Sequence, residues 1–157
     1  MNNRYSFERN NVIHLLSNDH HYGLAFCSHI GAGLRANIDV KRIKNYIDWF
    51  FNGYLSAHFE MEEKCIFPVL TRQHDLVKKA LADHRKLTRL FTVPTQLERT
   101  LGLIEEKLEN HIRFEERILF KEIKAIVSAT VSEEIVVLHS QKPDTSFFKS
   151  WQDAFWI

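Results

Sequence analysis

The chain has 157 residues, which is enough for one domain with a single well-buried core. Its 21 Lys and Arg residues nearly balance its 20 Asp and Glu residues, and the formal net charge of +1 offers neither a basic field for nucleic acid nor a like-charge tail. The sequence has two Cys, no apolar run of membrane-spanning length and no apolar signal segment in Met1 to Asn10, so we expect a soluble, cytoplasmic protein without a disulfide framework.

Helical periodicity dominates the first half of the chain. The first helix is predicted from about Asn11 to Arg35. Asp39 is the predicted N-cap of the second helix, which Pro68 should end or kink. Residues at intervals of three or four mark the inner faces: Ile13, Leu16, His20, Leu24 and Cys27 in the first helix, and Ile43, Ile47, Phe50, Tyr54, His58, Met61 and Cys65 in the second.

Two more helices follow with the same periodicity. Val93-Pro94-Thr95 predicts the turn between them, and Thr95 with Glu98 indicates a capping box at the start of the fourth helix. The inner faces carry Leu76, Ala80, His84, Leu87 and Phe91 in the third helix, and Leu97, Leu101, Ile104, Leu108, His111, Glu115, Ile118 or Leu119, and Glu122 or Ile123 in the fourth. Because short connections favour antiparallel neighbours, residues 1–127 are predicted to form an all-α, up-down-up-down four-helix bundle.

Residues 128–157 are predicted to be a C-terminal helical appendix packed on the bundle. A short fifth helix would be capped between Thr130 and Glu133, and Pro143-Asp144 should break the chain after it. Five aromatic residues then follow at helical spacing: Phe147, Phe148, Trp151, Phe155 and Trp156. We expect these aromatics to pack on the outside of the bundle, with a homodimer contact or a protein-partner surface as the alternative.

The most informative feature is a motif that occurs twice. The segment from His58 to Glu63 recurs in outline from His111 to Glu116, and each copy reads His-x-x-x-Glu followed by a second Glu. Positions i and i+4 of an α-helix lie about 40° apart and about 6 Å along the axis, so each copy points an imidazole and a carboxylate the same way. An Asp-His pair precedes each copy and contributes His20 and His84.

This repeat predicts a dinuclear metal site inside the bundle, because facing helices of such bundles supply the ligands of these centres. A Glu on an inner helix face is costly to bury unless it is paired or bound to metal. The alternative is a buried His–Glu hydrogen bond in each copy. The predicted ligands are four His and two bridging Glu residues: His20, His58, Glu62, His84, His111 and Glu115.

Other polar residues are expected to lie outside the ligand set. Glu63 and Glu116 are about 100° further round their helices, which predicts either a solvated face or a contact that supports a ligand. Cys27 and Cys65 should lie on either side of the site, about 20 Å apart and too far for a disulfide. Five histidines are expected to be surface or capping residues: His14, His21, His29, His74 and His139.

The pattern resembles the hemerythrin-like (HHE cation-binding) family from about His14 to Ile126, most specifically in the motif His-x-x-x-Glu-Glu-x-x-x-Phe-Pro that ends at Pro68. The resemblance implies a four-helix bundle that holds a non-haem di-iron centre with carboxylate and oxo or hydroxo bridges. Family members include oxygen carriers, sensors of oxygen, nitric oxide or iron, and proteins that repair iron–sulfur clusters. The carriers have a further His where this chain has Ala80, so the resemblance implies the four-His, two-Glu variant, similar to the repair proteins.

Two iron ions are therefore expected, with manganese or zinc as substitutes. Two His, two carboxylate oxygens and one oxo bridge would give each iron five ligands and leave one position for an exogenous small ligand. Apolar neighbours are expected around the site: Leu24, Ile66, Leu87, Ile118 and Leu119. The first functional hypothesis is a protein that binds, reduces or senses a small oxidant, namely dioxygen, nitric oxide or peroxide.

Two further hypotheses remain at this point. One is an iron sensor, or an iron-donor or cluster-repair protein, that acts through a protein partner. The other is a bundle that binds haem through His pairs, against which the paired Glu residues argue, because haem iron needs no bridging carboxylates.

Overall fold

Four long helices form the body of the molecule. The computed structural model describes residues 2–92, 95–140 and 146–157, with residues 2–11 described by their backbone only. The first bundle helix is α1 (Asn2–Arg35) and the third is α4 (Asp75–Thr92). The second bundle helix, residues 40–69, comprises α2 (Val40–Phe50), a π turn (Phe51–Leu55), α3 (Ser56–Met61), a π turn (Glu62–Ile66) and a 3-10 turn (Phe67–Val69). The fourth, residues 97–126, comprises α5 (Leu97–Phe114), a π turn (Glu115–Leu119) and α6 (Phe120–Ile126).

The predicted all-α bundle is confirmed, and the described residues contain no strand. The first and third bundle helices both pack against the fourth, and α2 contacts both α1 and α5. Two shorter helices follow the bundle, α7 (Ala129–His139) and α8 (Ser146–Lys149). Among the described helices, none combines the length and the apolar character needed to cross a membrane.

The ends of the first two bundle helices follow the local sequence closely. The first helix ends at Arg35 as predicted but begins at Asn2 rather than near Asn11, since residues 2–10 contain no Gly or Pro to stop a helix from propagating. Asp39 is the predicted N-cap, and its carboxylate accepts a hydrogen bond from the backbone N–H of Lys41 at 2.7 Å. The helix tightens into its 3-10 turn at Pro68 and ends there, as expected.

Two predicted caps are wrong. The capping box of Thr95 and Glu98 does not form, because Gln96 at the N-cap adopts a left-handed conformation with φ of 47° and makes no side-chain cap. The carbonyl of Thr95 instead accepts a hydrogen bond from the hydroxyl of Thr100 at 2.6 Å. Helix α7 is capped by Ser128, two residues before the predicted position, through a bond from the backbone N–H of Val131 at 3.2 Å. The predicted turn residues Val93-Pro94 and the predicted break at Pro143-Asp144 lie outside the described residues.

The bundle interior consists of two apolar clusters with a polar layer between them. The first cluster is rich in aromatic residues and includes Phe26, Phe50 and Phe91. The second is mostly aliphatic and includes Leu16 and Val77. Along each bundle helix the chain passes from one cluster to the other at the position of the predicted ligands, so all four helices place these residues at one level.

The two cysteines belong to opposite halves of this interior. Cys27 is buried in the aromatic-rich cluster, whereas Cys65 is half-buried against the aliphatic one. No disulfide joins these two residues. This arrangement agrees with the expectation that they lie on either side of the polar layer as small apolar side chains.

The C-terminal aromatic residues pack against α1 and α2. The ring of Phe148 stacks on Tyr22 with a centroid distance of 3.8 Å, and Phe147 stacks on Trp49 at 4.4 Å. Phe155 is buried in the aromatic-rich cluster. The rings of this segment thus pack against other residues of the same chain. A homodimer or partner surface in this segment stays a prediction.

A glycine on the second bundle helix makes this packing testable. An alanine Cβ at Gly53 would overlap the ring of Phe147, whereas nothing lies within 4 Å of the corresponding atom at Gly102 on α5. Helix propensity alone favours Ala over Gly at both positions by about 0.8–1.0 kcal/mol. We expect Gly102→Ala to raise the free energy of unfolding by about that amount, and Gly53→Ala to lower it by about 1 kcal/mol through overpacking. Denaturant titration of both variants measures this, and equal stabilisation by both would contradict the packing of Phe147.

Candidate metal centre

The six predicted ligands come together in the polar layer. Both Glu side chains are completely buried, and each of the four His residues is at most 3% exposed: His20, His58, Glu62, His84, His111 and Glu115. They form two groups of four donors, and both groups contain Glu62 and Glu115. One group adds His20 and His58, the other adds His84 and His111, and within each group the donor atoms lie within 4.8 Å of one another.

Each Glu directs one carboxylate oxygen toward each group. Glu115 Oε2 lies 3.0 Å from His20 Nε2, and its Oε1 lies 2.9 Å from His111 Nε2. Glu62 Oε1 is in close contact with His58 Nε2, and its Oε2 lies 3.8 Å from His84 Nε2. The two carboxylates therefore connect the two groups, as bridging ligands would.

The donor spacing suits ions of ordinary coordination geometry. Two donors at right angles, each about 2.1 Å from one ion, are about 3.0 Å apart. His84 Nε2 and His111 Nε2 are separated by 3.1 Å, which matches that value, as do the contacts of His20 and His111 with Glu115. The Nε2 atoms thus converge in the way that two cation positions require.

The buried carboxylates lack hydrogen-bond donors. None of the four oxygens of Glu62 and Glu115 has a partner with hydrogen-bond geometry, although imidazole nitrogens approach closely. His20 Nε2 likewise has no partner with that geometry. Leaving a buried carboxylate without a hydrogen bond or a cation is expensive. Bound metal ions would satisfy all of these atoms at once, so the residues present fit a metal.

Four further acidic residues, here called the outer carboxylates, lie at the Nδ1 edges of the four imidazoles: Asp19, Glu63, Asp83 and Glu116. Nδ1 of each of the four predicted ligand histidines lies beside one carboxylate from a different bundle helix. The four contacts are Asp19 with His58 at 3.4 Å, Glu63 with His84 at 2.9 Å, Asp83 with His111 at 3.2 Å, and Glu116 with His20 at 2.6 Å. The contacts form a closed ring around the bundle, since each helix supports a histidine of the next one.

Such an outer contact is typical of histidines that bind metal. A ligand His generally donates its second ring N–H to a carboxylate or a carbonyl, which fixes the tautomer and the ring orientation. Here all four Nδ1 atoms face an outer carboxylate, which leaves all four Nε2 atoms for the interior. For Glu63 and Glu116 the structure therefore selects the supporting contact over the solvated face. The sequence pattern predicts no role for Asp19 and Asp83, although their recurrence beside His20 and His84 is a usable signal.

A phenylalanine lies four residues after the second Glu of each motif copy, and its ring packs against an imidazole. Phe120 stacks on His20 with a centroid distance of 5.2 Å, and Phe67 packs on His84 at 5.4 Å. Each of these histidines therefore receives a carboxylate and a phenyl ring from one bundle helix. Each copy of the motif thus contacts the imidazole of the Asp-His pair that belongs to the other repeat.

Of the three π turns in the described part of the chain, two begin at the shared carboxylates, at Glu62 and at Glu115. In these turns the backbone N–H of Phe67 donates to the carbonyl of Glu62, and that of Phe120 donates to Glu115. π turns are rare and are frequent at functional sites. The 3.6-residue periodicity predicts regular α-helix here, because no residue type in these segments signals the wider turn.

The buried carboxylates raise the affinity of the neighbouring imidazoles for protons. Burial alone would lower the pKa of His20, but Glu115 and Glu116 outweigh it and raise the pKa to about 10. Burial likewise acts against His111, and Glu115 with Asp83 raises its pKa to about 10. The pKa of Glu115 is held well below its usual value by these histidines, against the effect of burial. Metal ions would have to displace such protons, because a ligand His must be neutral.

The other five histidines lie outside the two donor groups. His14 and His21 are exposed, and His29 contacts the hydroxyl of Tyr46 at 2.8 Å. His74 accepts a hydrogen bond from the backbone N–H of Leu76 at 3.1 Å near the start of α4, which is a capping contact. His139 lies against Asp19 rather than against any of the six predicted ligands.

Apolar residues close the layer above and below. Ile66, Leu87 and Leu119 are buried next to ligand residues on their helices, and Leu24 is half-buried. Ile118 does not take part, since it is 47% exposed. The expectation for Ile118 is therefore wrong, because its neighbour Leu119 takes the inward direction at the end of the π turn.

Comparison with known proteins gives one family match. The family model described as the hemerythrin HHE cation-binding domain matches residues 11–123, a range that contains all six predicted ligands and all four outer carboxylates. Neither a curated protein nor a solved structure matches the chain.

Proposed function

The chain belongs to the hemerythrin HHE cation-binding domain family, and on this premise we propose that it holds two iron ions in a non-haem centre that binds, reduces or senses a small oxidant. The observation that carries the proposal is the pair of buried carboxylates, each of which directs one oxygen to each histidine pair and lacks a hydrogen-bond donor. Imidazole and carboxylate donors suit iron, with manganese or zinc as substitutes.

Each residue type would have a distinct task. His20 and His58 would hold one ion, His84 and His111 the other, and Glu62 with Glu115 would bridge the two. The outer carboxylates accept the Nδ1 protons, which fixes the tautomer that presents Nε2 to the metal and raises the basicity of Nε2 as a ligand. When bound, iron would supply one-electron redox chemistry and a coordination position for a small ligand.

The open position follows from the size of the donor set. Ala80 lies one turn before His84 on the same helix face and is completely buried in the aliphatic cluster, where it offers no donor. The apolar neighbours limit the access of water and protons but complete no coordination sphere. We therefore propose reaction with a small oxidant, namely dioxygen, nitric oxide or peroxide, over reversible oxygen carriage.

Metal analysis followed by rapid mixing tests this function. Protein purified without oxygen should contain close to two iron ions per chain, and the reduced form should be oxidised by dioxygen without reversible uptake. His74→Gln is the matched control, since it removes an imidazole outside the layer, and both metal content and the near-ultraviolet charge-transfer bands should stay unchanged. Reversible oxygen uptake by the unmodified protein would contradict the open-site argument, and absence of bound metal would contradict the proposal as a whole.

Ala80→His is the complementary variant. It would add an imidazole one turn from His84 and should slow the oxidation by dioxygen, because one open position would be filled. Ala80 is completely buried, so we also expect the larger side chain to cost about 1–3 kcal/mol in stability through overpacking. An oxidation rate equal to that of the unmodified protein, with the extra imidazole shown to bind metal, would contradict the role of Ala80.

A further inference from the structure

One of the outer carboxylates is supported from outside the bundle. His139 on α7 places its Nε2 2.9 Å from Asp19 Oδ2, and the same Asp19 oxygen lies 3.4 Å from His58 Nδ1. The side chain of Asp19 is 10% exposed and that of His139 is 19% exposed, so most of this chain of contacts is shielded from water. Helix α7 packs along α1 and lies beyond the residues that match the family.

The equivalent position in the other half of the centre is built differently. Asp83 supports His111 at 3.2 Å, and its additional partner is Lys79 on its own helix, at 2.8 Å. The side chain of Lys79 is 52% exposed and that of Asp83 is 22% exposed. The two carboxylates thus have matching contacts to histidine but different surroundings.

Solvent also approaches the two halves unequally. An open cavity of about 170 Å³ reaches Asp83 and His111 between the third and fourth bundle helices, and Lys107 and Asn110 line it. On the opposite side, α7 lies over Asp19 through His139. His58 and His111 are both buried, but water or a chelator can approach Asp83 more directly than Asp19.

These differences have a physical consequence for any bound metal. Outer-sphere partners of ligand histidines typically change metal affinity 10–100-fold when they are removed. An exposed ion pair such as Lys79 with Asp83 is screened and holds its carboxylate weakly. A shielded contact such as His139 with Asp19 is screened less and restricts the carboxylate more.

We propose that His139 is a positioning residue for His58 that acts through Asp19, so that α7 retains the metal ion at His20 and His58 while the ion at His84 and His111 exchanges faster. This inference rests on the proposed binding of two metal ions. It assigns to α7, which the family match does not cover, a role in controlling the release of one ion.

Chelator-driven release of ferrous iron from the fully loaded protein under anaerobic conditions tests the proposal. The unmodified protein should release its two ions in two phases of one equivalent each. His139→Leu removes the contact to Asp19 and should accelerate only the slow phase, by about tenfold. His139→Gln, whose amide can donate to Asp19, should restore most of the slow phase and keep two ions bound.

Lys79→Met is the matched control on the other half. It removes the charge next to Asp83, together with the ammonium that lies 4.1 Å from the centroid of the Phe114 ring, and leaves an unbranched apolar side chain in its place. Because exposed charge contacts of this kind contribute little, both phases should change less than about twofold. Amide hydrogen exchange gives a second readout. Metal loading should increase the protection of α7 in the unmodified protein and not in His139→Leu, because coupling between two sites is reciprocal.

The outcomes separate this inference from the proposed function. Release of both ions in a single phase, or an unchanged slow phase in His139→Leu, would overturn the role of His139 and leave the metal centre standing. Failure of the unmodified protein to bind iron would overturn the proposed function and this inference with it. A loss of helical circular dichroism together with acceleration of both phases in His139→Leu would show a merely structural role and would also overturn the inference.

Discussion

Replacement of either shared carboxylate, Glu62→Ala or Glu115→Ala, should remove most of the bound metal. Each of these side chains offers one oxygen to each histidine pair, so its loss affects both positions at once. A metal ion stabilises the native state by its preference over the unfolded chain, which amounts to about 2.7 kcal/mol at a metal concentration 100 times the Kd. For a domain of this size that corresponds to about 5–10 °C in Tm.

The measurement is metal content together with the difference in Tm between loaded and metal-free protein. In the two variants, both the metal content and the Tm difference should fall close to zero. Glu60→Ala is the matched control, because Glu60 is an exposed carboxylate on the same helix that pairs with Lys64. Full metal content in Glu62→Ala, at the level of the control, would refute the bridging role.

Removal of an outer carboxylate should have the second largest effect. Glu116 accepts from His20 Nδ1 at 2.6 Å and from the hydroxyl of Ser17 at 2.9 Å, so it fixes the imidazole from the side opposite the donor cluster. We expect Glu116→Ala to weaken the binding of one ion by about 10–100-fold, because the ring loses its orientation and its basicity.

Competition with a chelator of known affinity measures this loss. Glu109→Ala is the control, since Glu109 lies two residues before His111 in sequence but pairs with Arg113 at 2.7 Å on the surface. The control should keep the affinity of the unmodified protein within about twofold, as expected for an exposed ion pair. An equal loss in both variants would show that general surface charge, rather than support of His20, determines the affinity.

The sequence predicted the parts of this fold that depend on helix periodicity. Residues four apart on a helix share a direction, and the doubled His-x-x-x-Glu motif therefore placed two donors from each copy toward one interior. The Asp-His pairs placed His20 and His84 at the same level, and the structure brings all six side chains into two groups. Local rules also worked at Asp39 and Pro68, where one residue type controls the helix end.

Predictions that depended on local rules alone failed where tertiary packing decided the backbone. The capping box at Thr95 and Glu98 has a suitable sequence, but the left-handed conformation of Gln96 directs the chain differently into α5. Ile118 and Leu119 could not be distinguished by periodicity, and the π turn that begins at Glu115 buries only Leu119. A regular 3.6-residue period contains no information about such a turn.

By itself, the sequence determined the identity and the inward direction of the six candidate ligands, because directions along one helix are fixed by its repeat. Only the tertiary structure decided which outer carboxylate supports which histidine, since each of these contacts joins two different helices and depends on their relative positions. The same reason applies to His139, which is 120 residues from Asp19 along the chain and meets it only because α7 packs on α1.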